Sequence, residues 1–225
     1  MLRVHRYYFI AVDDTPLSMT EMYGNLDEMM GRCKVDERVQ GYIRRCVAFH
    51  TFPAAGLLIG AFMVDLALEK LGAKPGDKLY AVSETPKCAP DPLQVLLGAT
   101  MGNHRLRIIN TGRYAITVNG FSTGTTADGI RVYVDAEKVK KYPTLHLWYT
   151  NDPSYKGGVS SDRLLEEILC AGRNILSWEP VRVKFTPKEK WASKKCPSCG
   201  EMVPEHTIEN GVCKGCGSSS YYEKA

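Results

Sequence analysis

The sequence predicts an α+β fold, in which a mixed or antiparallel sheet packs with helices and a small C-terminal zinc-binding domain follows. Three observations lead there. Segments of strand-like alternation and segments of helical spacing are interleaved without a strict strand–helix–strand repeat. One segment, Leu57 to Leu71, is apolar nearly all round, the pattern of a helix at the buried centre of a domain. Two Cys-x-x-Cys-Gly pairs lie near the end of the chain. We therefore expect a core domain over residues 1–186, and a linker with a four-cysteine zinc finger over residues 187–225.

The elements can be justified in order. Over residues 36–48, Val39, Ile43 and Val47 recur at four-residue spacing and predict a surface helix with one apolar face. Pro53 and Gly56 break the chain before the buried helix, on which Asp65 and Glu69 form a narrow polar stripe. Lys74-Pro75-Gly76-Asp77 predicts a turn, Lys78 to Glu84 a strand, Thr85 to Pro92 a loop, and Leu93 to Met101 a short helix. Leu106 to Ile109 and Tyr114 to Val118 are expected as neighbouring antiparallel strands. The second closes on Asn119-Gly120, a dipeptide suited to a two-residue hairpin turn. Ile130 to Val134 and Val181 to Phe185 alternate as half-buried strands. Between them, Ser160 or Ser161 is placed to cap a helix over Asp162 to Cys170, with Leu164, Leu165, Ile168 and Leu169 on its apolar face. The lysine-rich run from Lys184 to Lys195 is expected to be the linker.

Bulk composition narrows the function classes. With 44% hydrophobic and 24% charged residues the chain is an ordinary globular protein, and a net charge of +4 is too small to demand an anionic partner. Met1 to Tyr8 lacks the apolar run of a signal peptide. Cys46 to Val64 carries no Asp, Glu, Lys or Arg, but His50, Thr51, Pro53 and Gly56 interrupt it, so no membrane crossing is expected. Cys33, Cys46, Cys88 and Cys170 are scattered, which is not the usage of a disulfide scaffold. A cytoplasmic protein follows, with Cys33, Cys46 and Cys170 expected as free thiols. Gly124 to Gly129 and Lys156 to Ser161 are rich in small residues but lack a phosphate-loop signature, and are expected as turns.

The strongest motif is the four-cysteine set. Cys196 and Cys199 form one pair, Cys213 and Cys216 the other, with thirteen residues between the pairs. A two-residue gap lets both thiolates of a pair reach one ion, and the glycine after each pair lets the backbone turn tightly. Four thiolates close the coordination sphere, so one zinc ion per chain is expected in a structural role, with rubredoxin-type iron or two disulfides as the alternatives. The apolar residues here, chiefly Met202, Val203, Ile208 and Val212, make too small a core to fold without a metal.

A second constellation surrounds the start of the buried helix. Phe49-His50-Thr51-Phe52-Pro53-Ala54-Ala55-Gly56 is followed by a strand-end loop carrying Glu84, Cys88, Asp91 and Gln94. These stretches resemble the E-subunit family of formylmethanofuran dehydrogenase. Its pattern is Phe-His-Gly-His-x-Cys-Pro-Gly, a long helix, then a strand ending in Glu and a loop with Cys, Asp and Gln. The resemblance spans about residues 46–118 and the C-terminal cysteine pairs. Phe49, His50, Gly56, Gly60, Glu84, Cys88, Asp91, Gln94, Gly98, Thr100, Gly112 and Ala115 fit the pattern. It implies an α+β core that forms a homodimer, an active or metal-binding cleft built from the His and Cys motif, and a zinc finger of treble-clef type. The family name comes from an association with the molybdenum or tungsten enzyme of methanogenesis, and it is not itself an activity.

The chain departs from this pattern at two positions, with Phe52 where the family has its second histidine and Ala54 where it has its first cysteine. His50, Cys88 and Asp91 then have three readings. They hold a second metal ion with water or a partner protomer completing the sphere; Cys88 is a nucleophile with His50 as its base; or they are packed residues of a site that has lost its chemistry. Two functions compete on this basis. One is a small-molecule or metal cleft in a dimeric core supported by the finger. The other is a non-catalytic module whose finger, with Trp191 and the linker lysines, contacts protein or nucleic acid.

Overall fold

The computed structural model describes residues 19–74, 76–157, 160–185 and 190–223. Met1 to Tyr8, Pro75, the middle of the Lys156 to Ser161 loop and the middle of the linker lie outside them. The chain divides into two compact units, one ending at Lys184 and one beginning at Phe185.

The first unit runs α1 (Met19–Arg32), α2 (Glu37–His50), α3 (Ala55–Leu71), β1 (Tyr80–Ser83), α4 (Pro90–Leu97), β2 (Leu106–Ile108), β3 (Ala115–Asn119), β4 (Thr126–Val134), α5 (Ala136–Val139), α6 (Pro143–Tyr149), α7 (Ser161–Ala171) and β5 (Leu176–Lys184). It is the α+β architecture that the interleaved periodicities predict. The apolar α3 is its centre, packing on α2, α4 and α7 and against β3 and β4. Leu57, Leu58, Ile59 and Met63 are fully buried there, each worth about 1.5–3 kcal/mol of transfer free energy. Among the described residues no helix is long and apolar enough to cross a membrane.

Local signals explain the helix ends. The Asp36 side chain accepts from the Arg38 N–H and starts α2, whose buried face is Val39, Tyr42, Ile43, Cys46 and Val47. Ser160 caps α7 by accepting from the Asp162 N–H. Pro90 and Pro92 sit in the first turn of α4, where a missing N–H does no harm, so this helix begins earlier than Leu93 and stops at the left-handed Gly98.

The sheet departs from expectation in its pairing. Its order is β2-β1-β3-β4-β5, with β2 parallel to β1 and the other neighbours antiparallel. Leu106–Ile108 and Ala115–Asn119 are thus not adjacent, because β1 lies between them. The reason is the crossover through α4, which carries the chain back to start β2 beside β1 in the same direction. Nor is Asn119-Gly120 a two-residue turn. Asn119 pairs with Gly129, and Thr126 to Asp128 already pair with β5. Gly129 is required there by close approach, since a Cβ would lie 2.8 Å from the Val118 carbonyl oxygen. The stretch Gly124 to Gly129 is therefore largely strand, not turn.

A second correction concerns the core cysteines. Cys33 and Cys170 form a disulfide, where free thiols are expected. Helices α1 and α7 run side by side, with Arg32 Nε donating to Glu166 at 2.7 Å and Asn25 Nδ2 to Asp162 at 3.2 Å, so the two helix ends meet across a sequence separation of 137. Cysteine usage in the core therefore does not by itself argue for a reducing compartment. Cys46 remains a free, buried thiol.

The polar stripe of α3 is not solvated throughout. Asp65 is buried, and it is neutralised by Arg173 Nε at 2.7 Å and Arg38 Nη2 at 3.0 Å, while Arg173 also pairs with Glu69. A carboxylate in this apolar setting requires such partners.

In the second unit β6 (Ser193–Lys195) pairs with β7 (Met202–Pro204), and β8 (Ile208–Glu209) with β9 (Val212–Cys213). The end of the expected linker is thus strand. Besides these hairpins the described residues of this unit hold two 3-10 turns, Glu205–Thr207 and Lys214–Cys216.

Candidate functional site

The N-terminus of α3 has no side-chain cap, because its N-cap residue is Ala54. Gly56 and Gly60, one turn apart, leave a notch on this helix into which the segment from Cys88 to Pro92 settles. A Cβ on Gly56 would overlap the Tyr114 hydroxyl and lie 3.1 Å from Cys88 Cβ, and one on Gly60 would lie 2.9 Å from Pro92 Cγ. Gly56→Ala is accordingly expected to destabilise the core by about 1–3 kcal/mol, read as a shifted denaturation midpoint with an unchanged slope.

Three sequence-predicted residues come to this place. His50 ends α2, and its Nδ1 lies 2.6 Å from Asp91 Oδ2 in the first turn of α4. Gln94 Nε2 reaches the other Asp91 oxygen at 3.4 Å. Cys88 packs against Gly56, where the Leu57 N–H at the start of α3 faces its sulfur. Burial and then the Asp91 charge push the Cys88 thiol above its ordinary value, while the Leu57 N–H works weakly the other way. Burial pushes the neighbouring Cys46 thiol up to about 12.

Two of the six non-glycine residues with positive φ among the described residues lie in this region. Thr51, directly after His50, has φ 76°, and Cys88 has φ 25°. Cys88 is the centre of a γ-turn in which the Ala89 N–H meets the Lys87 carbonyl. Left-handed conformations at a β-branched threonine and at a cysteine are uncommon, and they persist only where packing imposes them.

The geometry distinguishes the readings of this site. His50 is held by Asp91, and among the described residues no hydrogen bond joins it to Cys88. Nor do His50, Cys88 and Asp91 converge as a metal site, because the group of three or more Cys, His, Asp or Glu donors found within 4.8 Å of one another among the described residues is the C-terminal one. Phe52, in place of the family's histidine, packs tilted against His50 with ring centroids 4.7 Å apart and remains 51% exposed.

Sequence reasoning missed Tyr114 as a site residue. Its hydroxyl is buried and donates to the Gly56 carbonyl at 2.7 Å, pinning the first turn of α3 against the Cys88 loop. Burial, then the charges of Cys88 and Asp91, raises this phenol well above its ordinary range, so it stays a donor. Its signal lay in the stretch Thr111 to Ala115, where only Gly112 and Ala115 fit the family pattern.

Glu84, at the end of β1, anchors the loop from its other side. Its carboxylate is buried and takes Arg131 Nε at 2.6 Å, Arg131 Nη2 at 3.1 Å and Arg113 Nε at 2.6 Å, with Arg131 also reaching Glu179 at 2.8 Å. Burial acts to raise the Glu84 carboxyl, but the Arg131 hydrogen bonds and the two guanidinium charges together bring it below its ordinary value.

In the C-terminal unit the four predicted cysteines come together, with their sulfurs all within 4.8 Å of one another and Cys199 Sγ 3.9 Å from Cys213 Sγ. Four thiolates at about 2.3 Å from one tetrahedral ion lie about 3.8 Å apart, so the donor set fits a metal. N–H groups of Cys199 and then Cys213 hold the Cys196 thiol down to about 6, whereas at Cys199 and Cys213 the lowering N–H groups of Glu201 and Cys216 are outweighed by burial and the neighbouring sulfurs, so these thiols stay raised. The Cys213 N–H lies 3.4 Å from that sulfur. Trp191 packs edge-on against His206, with centroids 5.8 Å apart.

Comparison with known proteins places these features. The profile of a family described as FmdE, molybdenum formylmethanofuran dehydrogenase operon, matches residues 49–184. A protein of Archaeoglobus fulgidus described as a probable S-adenosyl-L-methionine-binding protein is 27% identical over 237 aligned positions, covering 94% of this chain. The chain spans 64% of that relative's length. The crystal structure of a tungsten formylmethanofuran dehydrogenase FmdE-like protein from Syntrophus aciditrophicus superposes with a TM-score of 0.68 at 34% identity, covering 82% of this chain and 95% of that one. The chain belongs to the FmdE family.

Proposed function

We propose that this protein binds a small organic molecule in a cleft of its core, and that its C-terminal unit is folded around one structural zinc ion. The observation that carries the first half is the His50–Asp91 pair beside Cys88 at the uncapped start of α3. Orphan N–H groups there suit a carboxylate, and Asp91 together with the face of Phe52 suits a positively charged group. The replacement of two family ligands by Phe52 and Ala54 favours an organic ligand over a metal. The name of the Archaeoglobus fulgidus relative makes S-adenosyl-L-methionine, which carries a carboxylate and a sulfonium, the first compound to test.

Calorimetric titration of S-adenosyl-L-methionine into the full chain should show saturable binding, weakened at least about ten-fold in Asp91→Asn and in His50→Ala, a loss of about 1.4 kcal/mol or more. The absence of both heat and a thermal shift with this compound would sink the ligand assignment. Retained affinity in both variants would move the site elsewhere. Sedimentation equilibrium tests the homodimer that completes this reading. A metal count of one zinc per chain, falling to zero when the chain is cut at Lys190, supports the finger. A second ion surviving that cut would restore the core metal.

A second reading rests on Trp191, half exposed beside His206 in the zinc-binding unit. There the finger contacts protein or nucleic acid and the core only dimerises. Salt-dependent nucleic-acid affinity that disappears with the C-terminal unit is its test.

A further inference from the structure

We propose that the Cys33–Cys170 cross-link is a reversible redox latch that sets how firmly Arg38 and Arg173 hold the buried Asp65 of α3. The two cysteines lie just outside α1 and in the last turn of α7. Arg38 follows Cys33 by five residues and Arg173 follows Cys170 by three, so the cross-link ties together the two short segments that deliver the arginines to Asp65. A cavity of about 260 Å³, lined by Asp36, Arg38, Val39, Phe62, Asp65 and Arg173, lies where these segments meet α3. Packing therefore leaves them room to move once the covalent tie is gone.

The polar contacts between α1 and α7 are weak restraints. Beyond the apolar residues of α1, that helix is held on α7 by the exposed Asn25–Asp162 and Arg32–Glu166 contacts. Exposed pairs of this kind contribute little. The bond is also reachable, because Cys170 is exposed and Cys33 partly so. A small dithiol attacks the Cys170 sulfur as thiolate and the Cys33 thiolate leaves. The second thiol of the reductant then displaces Cys170, so one disulfide is reduced to two protein thiols and one dithiol is oxidised to a cyclic disulfide. The freed Cys33 thiol has an acceptor waiting in the Glu166 carbonyl, 3.4 Å away. A low-molecular-weight disulfide reverses the exchange. Asp65 stands nine residues along α3 from Gly56, about 14 Å, so a loosened clamp acts on the helix whose other end carries the candidate site.

The test is amide hydrogen exchange on the full-length protein, oxidised and then reduced with a phosphine, with thiol labelling to follow Cys33 and Cys170. Reduction should speed exchange in residues 34–43, 172–176 and around Asp65 on the order of ten-fold, as expected when a local tie is removed without global unfolding. Cys33→Ser/Cys170→Ser should exchange at the reduced rate with or without reductant. The wild-type comparison stands by itself if that variant folds poorly. Unchanged exchange on reduction would overturn the latch. So would full labelling of both thiols after incubation with oxidised glutathione, or a bond that excess reduced glutathione leaves intact.

Discussion

Chelation of the bound metal is expected to unfold residues 190–223 while leaving the melting of the core unchanged. The described residues of the C-terminal unit form two short hairpins, and the buried ones among them are Cys196 and Cys213 themselves, so an ion held there would stand in for a hydrophobic core. Zinc held by four thiolates stabilises such units by on the order of 10 kcal/mol near neutral pH. The measurement is proton NMR of the full chain before and after exhaustive chelation, in which the Ile208 and Val212 methyl signals should collapse to random-coil positions. Cys213→Ser should reproduce the loss without chelator. A finger that stays ordered when stripped of metal, or that contains cystines, would remove the zinc assignment. Because the ligands must lose protons, retention of metal should also weaken as pH falls.

Arg131→Ala is expected to destabilise the core by about 3 kcal/mol. It removes two hydrogen bonds from a carboxylate that stays buried, and the low end of the range for broken buried pairs applies because Arg113 remains beside Glu84. Equilibrium denaturation reads this directly. The pH dependence carries the same sign in wild type. Glu84 has a folded-state value below its unfolded one, so its contribution is fully present above the ordinary carboxylate range, about 4.3, and is lost as pH falls through the folded value. Arg131→Ala should flatten that acid limb. A variant as stable as wild type, with the same acid profile, would show that the network does not support the Cys88 loop.

These expectations rest on features of unequal visibility in the sequence. Helices α2 and α7 were legible because their apolar residues recur with the helical period, with a capping Ser before α7, and α3 because it is apolar nearly all round. The four-cysteine cluster was legible because ligand chemistry fixes its spacing. Helix α1 drew no assignment, although Leu26, Met29 and Met30 are buried on it, because its apolar residues are set in a largely polar segment. Pairing partners were not legible either. Alternation reports that a segment is extended, not which strand lies beside it, and so β1 went unseen between β2 and β3. The Cys33–Cys170 bond was hidden for the same reason, since it depends on two helix ends meeting far apart in the chain. At the core site the pattern pointed to His50, Cys88 and Asp91, but only three-dimensional placement joins His50 to Asp91 instead of Cys88 and brings in Tyr114.

The crossover from β1 through α4 to β2 has an evolutionary consequence. Cys88 and Asp91 stand between two strands whose ladder is complete without them, so residues there can be exchanged while the sheet keeps its register. Side chains in the crossover can therefore change, and with them the chemistry they offer, while the frame of the sheet stays the same.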